Sequence, residues 1–154
     1  MTKLYAAYGA NTHLESMAHR CPDARPIAAI VLYDWKLVFR GVADLVEAPG
    51  EKACCALWEI TDEDERALDR FEGFPNLYVK REFEIVKDGE VLTGMFYVMR
   101  DARGTAPPPR YYEETLRAGY EDFGMNTAQI DRAIREATGR KAQGHAKRAS
   151  LRGG

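Results

Sequence analysis

Glu72 is the residue of this chain best placed to move a proton. It lies in Leu68-Asp69-Arg70-Phe71-Glu72-Gly73, at the predicted end of a helix. The last helical turn carries the negative end of the macrodipole and favours cations. A carboxylate placed there has its pKa raised, which suits a proton acceptor. A second segment, Tyr5-Ala6-Ala7-Tyr8-Gly9-Ala10-Asn11, reads as a strand running into an anion-holding turn. Gly9 permits positive φ, and the helix expected next offers unpaired N–H groups. Such a junction holds anions without a cationic side chain. Each feature also has a plainer reading. Strand-to-helix turns are common, and the acids around Glu72 (Asp62, Glu63, Asp64, Glu65, Asp69) form mostly a solvated face.

Other chemistries find less support. His13 and His19 do not stack on one helix face, and no HExxH, CxxC or dense acidic loop occurs, so no metal site is expected. Ser16 and Ser150 are the only serines and neither sits in a nucleophile elbow. Walker A and GxGxxG loops are missing, and no cofactor is expected.

The elements that must position these residues follow from local signals. Residues 3–9 read as a strand and 12–19 as a helix with Asn11 or Thr12 as N-cap. Cys21-Pro22 ends that helix. The apolar run 27–33 reads as a buried strand, turned by Asp34-Trp35 into 36–39. Residues 42–46 form another strand, then Ala48-Pro49-Gly50-Glu51 a turn. In the strand 52–60, the set Cys54, Ala56, Trp58 and Ile60 is the more apolar and is expected to face the core. Thr61 caps a helix with Asp62, Glu63 and Asp64 in its first turn, an apolar stripe of Ala67, Leu68 and Phe71, and Gly73 as terminator. Asp88-Gly89 joins two strands, 77–86 and 91–99, as a hairpin. Pro107-Pro108-Pro109 introduces a helix over 110–123, and Asn126 or Thr127 starts the last one, to about Thr138. Clustered strands and two closing helices, without regular alternation, indicate an α+β fold.

Composition bounds the rest. The 154 residues fit one domain with its own core, and the net charge of -2 gives no whole-protein field for nucleic acid. Residues 140–154 carry five cations and no acid, leaving about -7 on the body. The expected organisation is a domain over 1–139 and a basic, solvated tail over 140–154, the one candidate for a nucleic-acid contact. The first residues do not read as an export signal, and no apolar run spans a bilayer. Three cysteines, Cys21, Cys54 and Cys55, do not make a disulfide framework, which points to a reducing cytoplasm. No exposed apolar stripe is legible, so a monomer is expected.

Three loose motifs in one order then become specific: Tyr8-Gly9-Ala10-Asn11, Leu68-Asp69-x-x-Glu72-Gly73 followed by Tyr78, and Ala106-Pro107-Pro108-x-x-Tyr111-Tyr112 followed by Gly119 and Gly124-Met125. Over roughly residues 3–135 the chain resembles the γ-glutamylcyclotransferase family, with its AIG2-like and γ-glutamylamine cyclotransferase members. The resemblance implies a small mixed β-barrel flanked by helices. It implies cleavage of γ-glutamyl amides by intramolecular attack of the substrate's α-amine, releasing 5-oxoproline and an amine or amino acid. Glu72 matches the family's essential glutamate and would be the acid/base. The stretch Tyr5, Ala6, Ala7, Tyr8, Gly9 and Ala10, on to Asn11, would cradle the glutamyl carboxylate and oxyanion. Tyr78 and Tyr112, with Tyr111 as the neighbouring alternative, would line the pocket. Ala10 stands where the family usually has serine, and Thr12 and His13 where it has apolar residues. Two other readings remain: removal of a γ-glutamyl protecting group on the same scaffold, and a non-catalytic module binding through its basic tail.

Overall fold

The computed structural model describes residues 2–102 and 104–145, without the side chains of 140–145. The elements are β1 (Thr2–Ala7), a 3-10 turn (Ala10–Thr12), α1 (Leu14–Arg20), β2 (Arg25–Phe39), β3 (Ala43–Thr61), α2 (Asp62–Glu72), β4 (Tyr78–Lys87), β5 (Glu90–Met99), α3 (Arg110–Asp122) and α4 (Ala128–His145). One five-stranded mixed sheet runs β2-β3-β1-β5-β4. Among these described strands only the β1–β5 pair is parallel. The fold is α+β, as expected.

The sheet curls into an open barrel. Trp35 of β2 packs edge-on against Phe96 of β5, with ring centroids 5.0 Å apart, and Arg81 of β4 lies over Trp35. The edge strands β2 and β4 therefore face each other across a cleft of about 690 Å³. The closed wall is built by the long β2–β3 hairpin. Asp34 (φ 72°) and Gly50 (φ 85°) carry turn chemistry, and the sequence reads them as breaks between strands. In the structure they are neighbours, Asp34 Oδ1 accepting the Gly50 N–H at 2.9 Å. The hairpin bends there instead of ending, so β2 and β3 each run through.

Local punctuation otherwise behaves as read. Thr61 and Asp64 form a reciprocal capping box, each side chain accepting the other's N–H at 3.0 Å. Gly73 (φ 69°) terminates α2. Asp88 and Gly89 both take positive φ in the β4–β5 turn. Asn126 Oδ1 accepts the Ala128 N–H at 2.7 Å at the start of α4.

Four expectations change. His13, not Asn11 or Thr12, is the N-cap of α1, because Asn11 and Thr12 are taken up in the 3-10 turn. Thr12 is buried, and its hydroxyl donates to Gly9 O at 2.8 Å, so no apolar residue is needed there. On β3 both faces are covered, with Cys55 and Leu57 as buried as Ala56 and Ile60. Cys54, expected to face the core, is the half-buried one, its backbone gripped by the Gln129 amide of α4. Finally, α4 continues past Thr138 to His145, through the first residues assigned to the basic tail. The rest of that tail, 146–154, lies outside the described residues. Among the described residues, no helix is long and apolar enough to cross a membrane.

Candidate active site

Glu72 and the Tyr8–Asn11 loop meet. The last residue of β1 feeds the 3-10 turn, while the capping box and Gly73 fix where α2 begins and stops. Together they line a cavity of about 190 Å³ with Tyr5, Val42, Ala43, Phe71, Tyr78, Tyr97 and Tyr112. Glu72 is its only acidic residue among those described. Asn11 joins the two motifs: its Nδ2 donates to Tyr5 Oη at 2.9 Å and to Glu72 Oε2 at 3.4 Å. The backbone of Asn11 is pinned from below, its carbonyl accepting Trp58 Nε1–H at 3.0 Å.

Burial pushes the Glu72 carboxyl up to about 7, opposed by the nearby Arg20 guanidinium. The sequence assigned that rise to the helix dipole, whereas loss of water is the larger cause. Asp69, one turn earlier, has a different fate. It accepts Tyr97 Oη–H at 2.6 Å and pairs with Lys80 at 3.0 Å, so it serves packing between α2, β4 and β5.

The tyrosines divide by hydrogen bonding. Tyr8 donates to Tyr97 O at 2.6 Å, and Tyr78 to Ala43 O at 3.2 Å. Tyr5 and Tyr112 instead accept, from Asn11 Nδ2 and from Ala43 N–H at 3.0 Å. No protein acceptor for either hydroxyl hydrogen is found among the described residues, and both side chains line the cavity. Burial raises the Tyr112 pKa to about 12, against the Ala43 and Ala10 amides, which lower it. Tyr5 is raised well above the ordinary 10, by burial and then by Glu72. Both stay neutral at physiological pH.

Helix α3 seats the loop. Tyr120 Oη–H donates to Tyr8 O at 2.9 Å, and Gly119 packs directly on Thr12. The glycine is needed because a Cβ there would fall 2.2 Å from Thr12 Oγ1. Gly9 is confined by Tyr112 Oη, 2.9 Å from where its own Cβ would be.

Seven expected binding residues are brought together here: Tyr5, Tyr8, Gly9, Ala10, Asn11, Tyr78 and Tyr112. Ala6 and Ala7 are buried in the sheet and do not line the cavity. Tyr111 points outward, 73% exposed. Phe71, read as part of the apolar stripe of α2, is 49% exposed at the cavity mouth under the Arg20 guanidinium. Sequence reading missed Val42, Ala43 and Tyr97 as well as Arg20. None stands in a recognisable pattern, since each reaches the site through strand pairing or helix docking.

Neutral phenols and a single carboxyl raised by burial thus line a small cavity. A family model described as gamma-glutamyl cyclotransferase, AIG2-like, matches residues 5–120. The gamma-glutamylcyclotransferase of Bos taurus is 29% identical over 136 residues, covering 79% of this chain and 72% of that one. A solved structure named gamma-glutamyl cyclotransferase shares the fold at a TM-score of 0.77 and 24% identity, over 86% of each chain. The crystal structure of an uncharacterized protein from Homo sapiens aligns at a TM-score of 0.76 and 25% identity, again over 86% of each chain.

Proposed function

The chain belongs to the gamma-glutamyl cyclotransferase, AIG2-like family, and on that premise we propose that it converts a γ-glutamyl amide into 5-oxoproline and a free amine or amino acid. The observation that carries this reading is Glu72: a carboxylate in the cavity, lifted by burial to about 7, within reach of the loop that would hold the substrate.

The cycle needs one proton shuttle. Glu72 takes a proton from the substrate's α-ammonium, and the freed amine attacks the γ-carbonyl carbon. The tetrahedral intermediate places a negative charge on the former carbonyl oxygen, which loop N–H groups and the Tyr112 hydroxyl stabilise. Protonated Glu72 gives its proton to the leaving nitrogen, then takes the second proton from the ring nitrogen, which the attack has left cationic. The γ-carbon–nitrogen bond breaks as the carbonyl re-forms, and Glu72 passes that second proton to the released amine, which departs as an ammonium. No water is consumed. Attack within one molecule gains from proximity, so no protein nucleophile is required. A pKa near 7 keeps both protonation states of Glu72 populated at neutral pH.

The cavity volume supports the same division of the substrate. About 190 Å³ is below the range of roughly 300–1,000 Å³ usual for larger ligands. It suits a single glutamyl head, with the amine side leaving past Val42 and Phe71.

The test is release of 5-oxoproline from a panel of γ-glutamyl amino acids and γ-glutamyl amines, by the wild type and by Glu72→Gln. Wild-type turnover of at least one panel member, lost in the variant with the fold intact, is expected. Full activity of Glu72→Gln would rule out this residue as the shuttle.

A further inference from the structure

Arg20 ends α1, one residue before Cys21, whose thiol reaches Asp64 O at 3.6 Å and ties α1 to α2. Its guanidinium makes two contacts at the site. One Nη donates to Asn11 Oδ1. The guanidinium carbon also lies 3.6 Å from the centroid of the Phe71 ring, the residue before Glu72. The first contact fixes which way the Asn11 amide faces. With Oδ1 bound to a cation, Nδ2 must be the end that donates to Tyr5 and Glu72. The second holds the positive charge over the cavity mouth by a cation–π contact.

We propose that Arg20 is a positioning residue of this site, orienting Glu72 through Asn11 and tuning its proton affinity by its own charge. The inference rests on the reading of Glu72 as proton shuttle. The other titratable groups turned toward Glu72 are Tyr5 from β1, Tyr8 from the loop, Tyr78 from β4 and Tyr112 from α3. All are neutral near pH 7, and on α2 itself Asp69 is paired with Lys80. Arg20 is therefore the charge that opposes burial at Glu72, in agreement with the direction of its effect there. Without it, the carboxyl would hold its proton to higher pH and be a scarcer base at neutrality.

The experiment titrates Glu72 directly, by carbon NMR of protein labelled at the glutamate carboxyls, with Glu72→Gln identifying its resonance. In Arg20→Gln the midpoint should rise by about one pH unit, the lower end of the effect of a neighbouring opposite charge. Arg20→Lys, which keeps the charge, should recover at least half of that shift. Phe71→Leu, which removes the ring beneath the guanidinium, should move it upward by a smaller amount and serves if Arg20→Gln does not fold. In turnover, the rising limb of kcat/KM should move with the midpoint. An unchanged Glu72 midpoint in the folded variants overturns the proposal, as does a raised KM alone, which would make Arg20 a direct substrate ligand. The titration needs no substrate. If the midpoint moves while the wild type turns over no γ-glutamyl amide, the functional reading fails and the role of Arg20 stands.

Discussion

Asn11 Nδ2 lies 3.4 Å from Glu72 Oε2. This contact joins the end of the first strand's loop to the end of α2, and it is the seam along which the site is assembled. It is long for a hydrogen bond. Glu72 therefore keeps hydrogen-bonding capacity toward the cavity, while Asn11 is held mainly by Tyr5, Arg20 and Trp58.

Stability should depend on pH through Glu72. Folding lifts its pKa from the ordinary 4.5 to about 7, chiefly by burial. The folded state then binds the proton more tightly than the unfolded chain. Below 4.5 both states are protonated and there is no penalty. Between 4.5 and 7 the unfolded chain ionises first and stability falls, reaching a constant deficit above 7. Glu72→Gln, which mimics the protonated form, should be more stable than wild type by about 1–3 kcal/mol at pH 8. The difference should close at pH 4. Urea denaturation at pH 4, 6 and 8 measures it, and an equal difference at all three would contradict the assignment.

Activity should follow the same group in the opposite sense. Glu72 must be ionised to accept the ammonium proton, so kcat/KM should rise through about pH 7. At one unit below the midpoint it should stand at about a tenth of the plateau. Initial rates between pH 5 and 9 on the best substrate of the panel give the profile. A limb centred near 4.5 would mean that Glu72 is hydrated in solution.

Gly9 and Tyr112 should prove coupled. Gly9→Ala sets a methyl 2.9 Å from Tyr112 Oη and 3.2 Å from Ala43 Cβ, forcing the ring or the loop to move. A fall in kcat/KM of about 10–100-fold is expected from that displacement. Tyr112→Phe leaves the Ala43 N–H without its acceptor, at a cost of about 1–3 kcal/mol. In the double variant the missing hydroxyl relieves the clash, so the stability losses of the two single variants should sum to more than the loss observed. Additive losses in urea melts would deny the contact.

Gly119→Ala tests whether α3 sets the loop. The added methyl would fall 2.2 Å from Thr12 Oγ1 and 2.7 Å from the His13 nitrogen. Thr12 is fully buried and cannot step aside, so a loss of about 1–3 kcal/mol or more is expected. Gly139, in α4, has nothing within 4 Å of an added Cβ. Its replacement by Ala should be neutral or stabilising by up to about 1 kcal/mol. Thermal melts of the two variants make the comparison, and equal Tm values would refute the seating role.

Several parts of this protein were legible without coordinates. Thr61, Asp64 and Gly73 bound α2, and Asp88-Gly89 closes the β4–β5 hairpin. Each is a matter of backbone hydrogen bonds or positive φ satisfied within a few residues, so the residue types alone specify it. The order of the three motifs carried the family, and with it the mixed α+β fold. The same local logic misled at Asp34 and Gly50, whose turn chemistry is spent on each other across a continuous hairpin.

The site needed the folded chain. Ala6 and Ala7 belong to the same stretch as Tyr5 and Tyr8, yet pairing of β1 with β3 buries them away from the cavity. Val42, Ala43 and Tyr97 reach it from other strands, and Arg20 from the end of α1. The pKa of Glu72 is the clearest case. Its place at a helix end was written in the sequence, but the size of the shift comes from water removed by groups distant in the chain. Desolvation has no local signature, because it depends on what packs around a group rather than on what precedes or follows it.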